Sequence, residues 1–330
     1  MRVLVVYNKD FSKVIYQRNP TKEIYSEKTV FRIKSALERA GHYVEVADGN
    51  MEIIDRLKVF FRRGKGIVFN LSYGIQGESR YSHIPSILEM LGVPYTGSTP
   101  EGHAVALDKA LTKIAVQYYG IKTPDFMVFK SPEKLEDIKL PVIVKPRREA
   151  LSLGVKVAKT KEELKKAVRE ITDIFGQEAL VEKFIRGREF SVALIGNGKD
   201  LTALPVLEFD LGGNPEAIQT TFLKRHRPIR KICPAEIPEN TAKKMQEISK
   251  RVFNILELRD YARVDLRMDE SGEIYFLEIN SQASLGETGS FIHSARAAGM
   301  DFDQTVIKIL DAAVKRYQEL WEEYDGFEQD

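Results

Sequence analysis

A single cysteine, Cys233, stands among 330 residues, so the chain can build neither an intrachain disulfide nor a thiolate metal cluster. No apolar run approaches the roughly 20 residues that span a bilayer, and the opening "MRVLVVYNKD" turns polar too early for a signal peptide. These absences set the expectation of a reducing cytoplasm. Charge of one sign is lacking too: 50 Lys and Arg against 48 Asp and Glu leave a net charge of +2. That balance provides no field for a dedicated nucleic-acid or membrane-surface binder. Several motifs are also missing. No G-x-G-x-x-G follows the first apolar run, and G-x-S-x-G, H-E-x-x-H and G-x-x-x-x-G-K-[ST] do not occur. The dinucleotide fingerprint, two hydrolase signatures and the Walker phosphate loop are therefore unsupported.

What is present is a globular pattern, 43% hydrophobic and long enough for two or three domains. In the N-terminal third, strand and helix alternate. "VLVVY" (Val3–Tyr7) reads as a buried strand, and Val30, Ile33, Ala36, Leu37 and Ala40 repeat at helical spacing before Gly41. "YVEVA", a helix near 51–63, "GIVFNLS" and a helix near 83–91 continue an open parallel sheet with crossover helices. The middle reads as a small α+β unit: a helix near 108–119, "FMVF", "PVIVKP", "GVKVA", a helix near 161–175 and "EALVEKFI". Pro100-Glu101-Gly102 and Thr123-Pro124 read as linkers around its first helix. In the last part, "REFSVALIG" and "LTALPVLEF" read as strands and residues 210–232 as either unstructured or a lid. A helix near 240–256, a hairpin and helices near 291–298 and 303–317 follow. The expected division is 1–103, 104–187 and 188–330.

The hairpin is "YARVDLRMDESGEIYFLEIN". Both arms alternate, with Val264, Leu266, Tyr275, Leu277 and Ile279 on one face and Arg263, Asp265, Glu278 and Asn280 on the other. A two-residue turn at Ser271-Gly272 sets Asp265 opposite Glu278 and Arg263 opposite Asn280. Facing carboxylates repel. Either Arg263 and Arg267 compensate them on a solvated face, or a hard divalent cation takes Asp, Glu and Asn oxygens as ligands. The hairpin alone favours neither.

Other charged residues are individually bland. Lys145 ends the apolar run "PVIVK", Lys109 sits in "LDKALTK" and Glu189 in "GREFSVAL"; each alone reads as an ordinary surface charge. The dense basic run "LKRHRPIRK" (Leu223–Lys231) lacks the interleaved aromatics of a nucleic-acid binder and fits a loop, its sharper form one that closes over a polyanion such as triphosphate. His226 within it has no second histidine at metal-ligand spacing.

The order of segments carries more. "GIQGES", "PSILEMLGVPYTGSTPEGHAVALDKALTKIAVQYYGIKTP", "PVIVKPRREALSLGVKVAKTKEEL", "LVEKFIRGREFSVALIG", "ICPAEIP", "ARVDLRMD" and "FLEIN" together resemble the D-alanine–D-alanine ligase branch of the ATP-grasp superfamily. The resemblance implies an ATP-grasp fold: an N-terminal open parallel sheet domain followed by two α+β subdomains that clasp ATP. It implies that Lys109 and Lys145 contact phosphates, that Glu182, Lys183 and Phe184 lie along the adenine, and that Glu189 holds the ribose. Lys224, with Arg225 as the neighbouring choice, matches the lid lysine over the γ-phosphate. Asp265, Glu278 and Asn280 match the ligands of Mg2+ (or Mn2+), and Arg263 the arginine that stabilises the reacting carboxylate. A homodimer acting on small-molecule carboxylate and amine substrates is implied as well.

The substrate half departs from the family pattern. "TKEIYS" places Lys22 where the family has the acid for the first D-alanine's ammonium, Leu151 replaces a serine, and Tyr73 replaces a histidine. The loop "SQASLGETGS", including Ser284 and Gly286, lacks the family's proline. The expectation is a carboxylate–amine ligase with a substrate other than two D-alanines. An ATP-grasp kinase, a D-alanine–D-alanine ligase proper, a nucleotide-binding module without turnover and a nucleic-acid-binding protein built around Leu223–Lys231 are the rivals.

Overall fold

The structure is a computed structural model describing residues 1–9, 23–135, 138–219 and 229–327. Its first sheet is parallel, order β2-β1-β3: β1 (Arg2–Tyr7), β2 (Tyr43–Asp48) and β3 (Gly66–Asn70). The run from Val3 to Val6 is fully buried, as a central strand covered on both faces requires. Helix α1 (Glu27–Arg39) begins at Ser26, whose hydroxyl accepts the Thr29 N–H, and buries Val30, Ile33, Ala36 and Leu37. Helices α2 (Ile53–Phe61) and α3 (His83–Met90) cover the same sheet.

Pro100-Glu101-Gly102 is not a linker. It forms the first turn of α4 (Pro100–Leu107), with Thr99 as N-cap and proline at N1, where its missing N–H costs nothing. Asp108 then separates α4 from α5 (Lys109–Tyr118) and caps the latter, accepting from the Ala110 and Leu111 N–H groups. Four antiparallel strands follow, order β4-β7-β5-β6: β4 (Phe126–Phe129), β5 (Val142–Pro146), β6 (Lys156–Ala158) and β7 (Ala179–Lys183). Helix α6 (Lys161–Phe175), opened by a Thr160–Glu163 capping box, lays Leu164, Ala167, Val168 and Ile171 against this sheet.

The third sheet has the order β11-β10-β8-β12-β13, with β9 beside β8. Its strands are β8 (Gly187–Ile195), β9 (Thr202–Ala203), β10 (Leu207–Asp210), β11 (Arg230–Ile232), β12 (Tyr261–Asp269) and β13 (Ile274–Asn280). "LTALPVLEF" is thus two short strands rather than one, interrupted around Pro205, which has no N–H for a ladder. Helix α7 (Glu239–Ile255) packs Met245, Val252 and Phe253 on one face. Helices α8 (Ser290–Ala297) and α9 (Phe302–Phe327) fill the other, where Phe291, Ile309 and Tyr261 share one core with Val3, Val5 and Ile33 of the first unit.

The β12–β13 hairpin pairs Arg263 with Asn280, Val264 with Ile279 and Asp265 with Glu278, then shifts: Leu266 pairs with Phe276 and Arg267 with Tyr275. The turn holds three residues, Glu270 to Gly272, closed by the Asp269 N–H on the Glu273 carbonyl, and Gly272 takes φ 85°. Leu277, left between the two registers, is a β-bulge that absorbs the extra residue. The expected two-residue turn is therefore wrong while the facing pairs are right. The bulge also reverses the alternation: Ile274 and Phe276 enter the core, whereas Leu277 turns to the cleft.

Candidate active site

A cleft of about 600 Å³ lies between the second and third sheets. Strands β5 and β7 supply Lys145 and Glu182, the segment after β7 supplies Phe184, β8 supplies Glu189, and the hairpin supplies Arg263, Asp265 and Glu278. Antiparallel pairing explains the convergence, since β5–β7 and β12–β13 each turn alternate side chains toward the same gap.

The charges are densely paired. Glu182, 3% exposed, has Lys145 Nζ at 2.7 Å from one oxygen and Lys113 Nζ at 3.0 Å from the other. Burial works against its charge, but the two lysines outweigh it and hold its carboxyl below the usual range. Lys109, buried at the start of α5, donates to the Glu149 carbonyl and stands 3.7 Å from Glu278. Glu189 receives Arg267 Nη1 at 3.2 Å and Gln219 Nε2 at 2.7 Å. The Arg267 guanidinium also lies over the Phe184 ring, 5.3 Å from its centroid. Lys183 is exposed at the cleft wall, its backbone N–H bonded to the Asp125 carbonyl.

On the hairpin, Arg263 grips Asp265 through Nε (2.8 Å) and Nη2 (2.7 Å), and Asn280 Nδ2 reaches the same carboxylate at 3.1 Å. Burial opposes the Arg263 charge; Asp265 and Glu278 reverse the balance and push its pKa up. Among the described residues no group of three or more His, Cys, Asp and Glu converges. A hard cation here has two carboxylates and one carboxamide oxygen from neighbouring strand positions, a donor set that fits magnesium chemistry.

Beside this cleft sits an aromatic wall. Tyr73 stacks on Tyr25 (5.3 Å between centroids, 5° between planes) and meets Tyr81 at 5.4 Å. The Tyr25 hydroxyl ties down the loop after Asn280, donating to the Ala283 carbonyl (3.2 Å) and accepting the Leu285 N–H (2.9 Å). Ser284 in that loop is exposed, its hydroxyl 3.4 Å from the Gly286 N–H. Lys224 and Arg225 lie outside the described residues, as does Lys22.

Several groups escaped the sequence reading. Glu23, next to Lys22, is buried, accepting from the Tyr81 hydroxyl (2.6 Å) and from Arg80 Nη2 (3.4 Å). Burial raises its carboxyl pKa. Glu23 is thus a buried acid beside Lys22, the position at which a departure from the family pattern is expected and which lies outside the described residues. Arg80 also approaches Glu149 at 3.5 Å, and Lys231 reaches into the cleft and bonds the Thr288 carbonyl. Lys113 carried no signal beyond helix periodicity, and Arg267 read only as a counter-charge to the hairpin's acids.

Known proteins resemble this chain over most of its length. The family profile described as D-ala D-ala ligase C-terminus matches residues 115–311. A Sinorhizobium fredii protein, y4sG, is 37% identical over 330 residues, covering 96% of this chain and 98% of its own. The D-alanine–D-alanine ligase of Desulfotalea psychrophila is 34% identical over 258 residues, 75% of this chain and 78% of its own. Among solved structures, the Bacillus anthracis D-alanine–D-alanine ligase complexed with ATP has a TM-score of 0.74 at 22% identity, covering 97% of this chain and 99% of that one. By the matched profile and this identity over three quarters of its length, the chain belongs to the D-alanine–D-alanine ligase family of ATP-grasp ligases.

Proposed function

We propose that the chain joins a carboxylate to an amine at the expense of ATP, through an acyl phosphate, with substrates other than two D-alanines. The single observation that carries the reading is the pairing of Asp265 with Glu278, flanked by Arg263 and Asn280, at the edge of a lysine-lined cleft. Nucleotide residues are assigned as follows: Glu182, Lys183 and Phe184 along the base, Glu189 at the ribose, Lys109 and Lys145 at the phosphates. Lys224 is assigned to the γ-phosphate. Asp265, Glu278 and Asn280 would hold magnesium, which supplies charge neutralisation at the phosphoryl oxygens when bound.

The chemistry then balances. A carboxylate oxygen forms a bond to the γ-phosphorus as the bond to ADP breaks. The amine nitrogen next attacks the acyl carbon, phosphate leaves, and the amine's proton is lost to solvent or base. Arg263 is assigned to stabilise the oxyanion of that second step. Tyr73, Leu151, Ser284 and Gly286 support altered specificity, because they stand where the family pattern has other residues or another loop. The working parts are residues 1–103, 104–187 and 188–330.

A reducing cytoplasm suits an ATP-consuming chain with one cysteine, and no helix among the described residues is long and apolar enough to cross a membrane. Homodimerisation belongs to the same proposal, and light scattering of the purified chain tests it. The function is tested by incubating the protein with ATP, magnesium and a panel of amino acids while following phosphate release and product mass. An amide from a pair other than two D-alanines is expected. Efficient D-alanyl-D-alanine synthesis overturns the substrate assignment, and a stable phosphorylated product overturns the ligase.

A further inference from the structure

Lys113 has no place in the chemistry above, yet it is completely buried, at 0% exposure on the inner side of α5. Ammonium groups are almost never buried without a partner. Its Nζ donates to Thr123 Oγ1 at 2.5 Å, and Thr123 in turn donates to the Phe276 carbonyl. The same Nζ lies 3.0 Å from Glu182 Oε2, and the Phe126 ring covers it at 5.9 Å. Burial pushes its pKa down to about 8, with Glu182 opposing the fall, so the group remains a cation at neutral pH. Lys113 does not line the cleft; it touches the cleft-lining Glu182.

Glu182 is shared unequally. Oε1 takes a hydrogen bond from Lys145 at 2.7 Å, whereas Oε2 is buried and faces Lys113 Nζ at 3.0 Å. Lys113 thus holds Oε2 in a close ion pair behind the cleft wall and leaves Oε1 to Lys145, which lines the cleft. Lys145 lines the cleft and is assigned to the phosphates, so it cannot be counted on to neutralise Glu182 once nucleotide is bound. Lys113 can, because nothing in the cleft competes for it.

We propose that Lys113 is a positioning residue for base selection: it holds Glu182 ionised through Oε2 in the nucleotide-loaded state, so that Oε1, released by Lys145, accepts from the 6-amino group of a purine and repels a 6-keto oxygen. The inference rests on the proposed nucleotide site. An ionised carboxylate only accepts hydrogen bonds, whereas a protonated one also donates. Without Lys113, departure of Lys145 leaves a buried, unpaired carboxylate, which takes up a proton and then tolerates a keto group.

The test compares ATP with inosine triphosphate, which differs at the 6-position, in magnesium-dependent phosphate release. Lys113→Met is expected to lower the ratio of kcat/KM for ATP over inosine triphosphate by about tenfold or more, mostly through KM for ATP. Thr123→Val, which removes the hydrogen-bond anchor and keeps the charge, is the second variant in case Lys113→Met does not fold. Its ratio is expected to fall about threefold. An unchanged ratio in whichever of these variants folds, with both nucleotides losing equally, makes Lys113 merely structural and overturns the proposal. Failure of the wild-type chain to bind either nucleotide, measured calorimetrically, would instead strike the nucleotide site itself.

Discussion

Both carboxylate oxygens of Asp265 are held by Arg263, two positions earlier on the same strand, at 2.8 and 2.7 Å. A fork of this kind fixes the acid's orientation before any cation arrives, and it keeps the guanidinium within reach of the same place. Arg263 is also only 3.3 Å from the Ser290 hydroxyl, which opens α8.

Removing that guanidinium should separate binding from chemistry. Arg263→Ala is expected to retain ATP within a few-fold in calorimetry and to lose about 10²- to 10³-fold in turnover, the cost of one oxyanion donor. Equal loss of both would show that the arginine serves only to shape the pocket.

Metal dependence gives a second check. Chelation with EDTA is expected to stop phosphate release, and added magnesium to restore it. Glu278→Gln is expected to raise the magnesium concentration at half-maximal rate by about tenfold or more, since even losses beyond the inner ligands cost that much. Titration of rate against free magnesium measures it.

Stability should depend on pH through His103. This residue on α4 is buried, its Nδ1 lies 2.8 Å from Ser281 Oγ, and burial drives its pKa down to about 3. The unfolded chain therefore binds a proton near pH 6.5 that the folded chain refuses until about pH 3. Stability is intact above 6.5 and falls with acidification across that window, by up to about 1.4 kcal/mol per pH unit from this group. Urea midpoints at several pH values read the slope, and His103→Asn is expected to flatten it.

Glycine substitutions should sort by space. Gly187 has φ 144°, and a Cβ there would sit 2.0 Å from the Met268 carbonyl oxygen, whereas Gly299, at φ 82°, has nothing within 4 Å. Gly299→Ala is expected to cost about 1–2 kcal/mol for its backbone alone. Gly187→Ala adds a collision with β12 and should exceed that, read as a larger fall in Tm.

Much of the architecture was legible because each element announces itself locally. The buried run at Val3 and the 3.6-residue spacing from Val30 need no partner to be recognised. The facing of Asp265 and Glu278 was legible only by compensation, a turn one residue longer being offset by the bulge at Leu277. Lys113 and Glu182 could not be paired from sequence, for they are 69 positions apart in number and meet only in the folded chain. Glu23 was hidden for a similar reason: its partners Tyr81 and Arg80 lie 58 and 57 positions away in the chain. Arg267 read as a diagonal counter-charge on a solvated face, yet it is buried and donates to the Gly187, Pro215 and Ala217 carbonyls.

The bulge at Leu277 insulates the hairpin's tip from its base. Pairs at Arg263, Val264 and Asp265 are set by their neighbours on β8 and β13, while everything from Leu266 outward follows a separate count. A guest peptide spliced between Glu270 and Ser271, such as an affinity epitope, should therefore lengthen an exposed tongue and leave the acidic pair in place. That makes the tip a natural point at which to tether, label or immobilise the molecule.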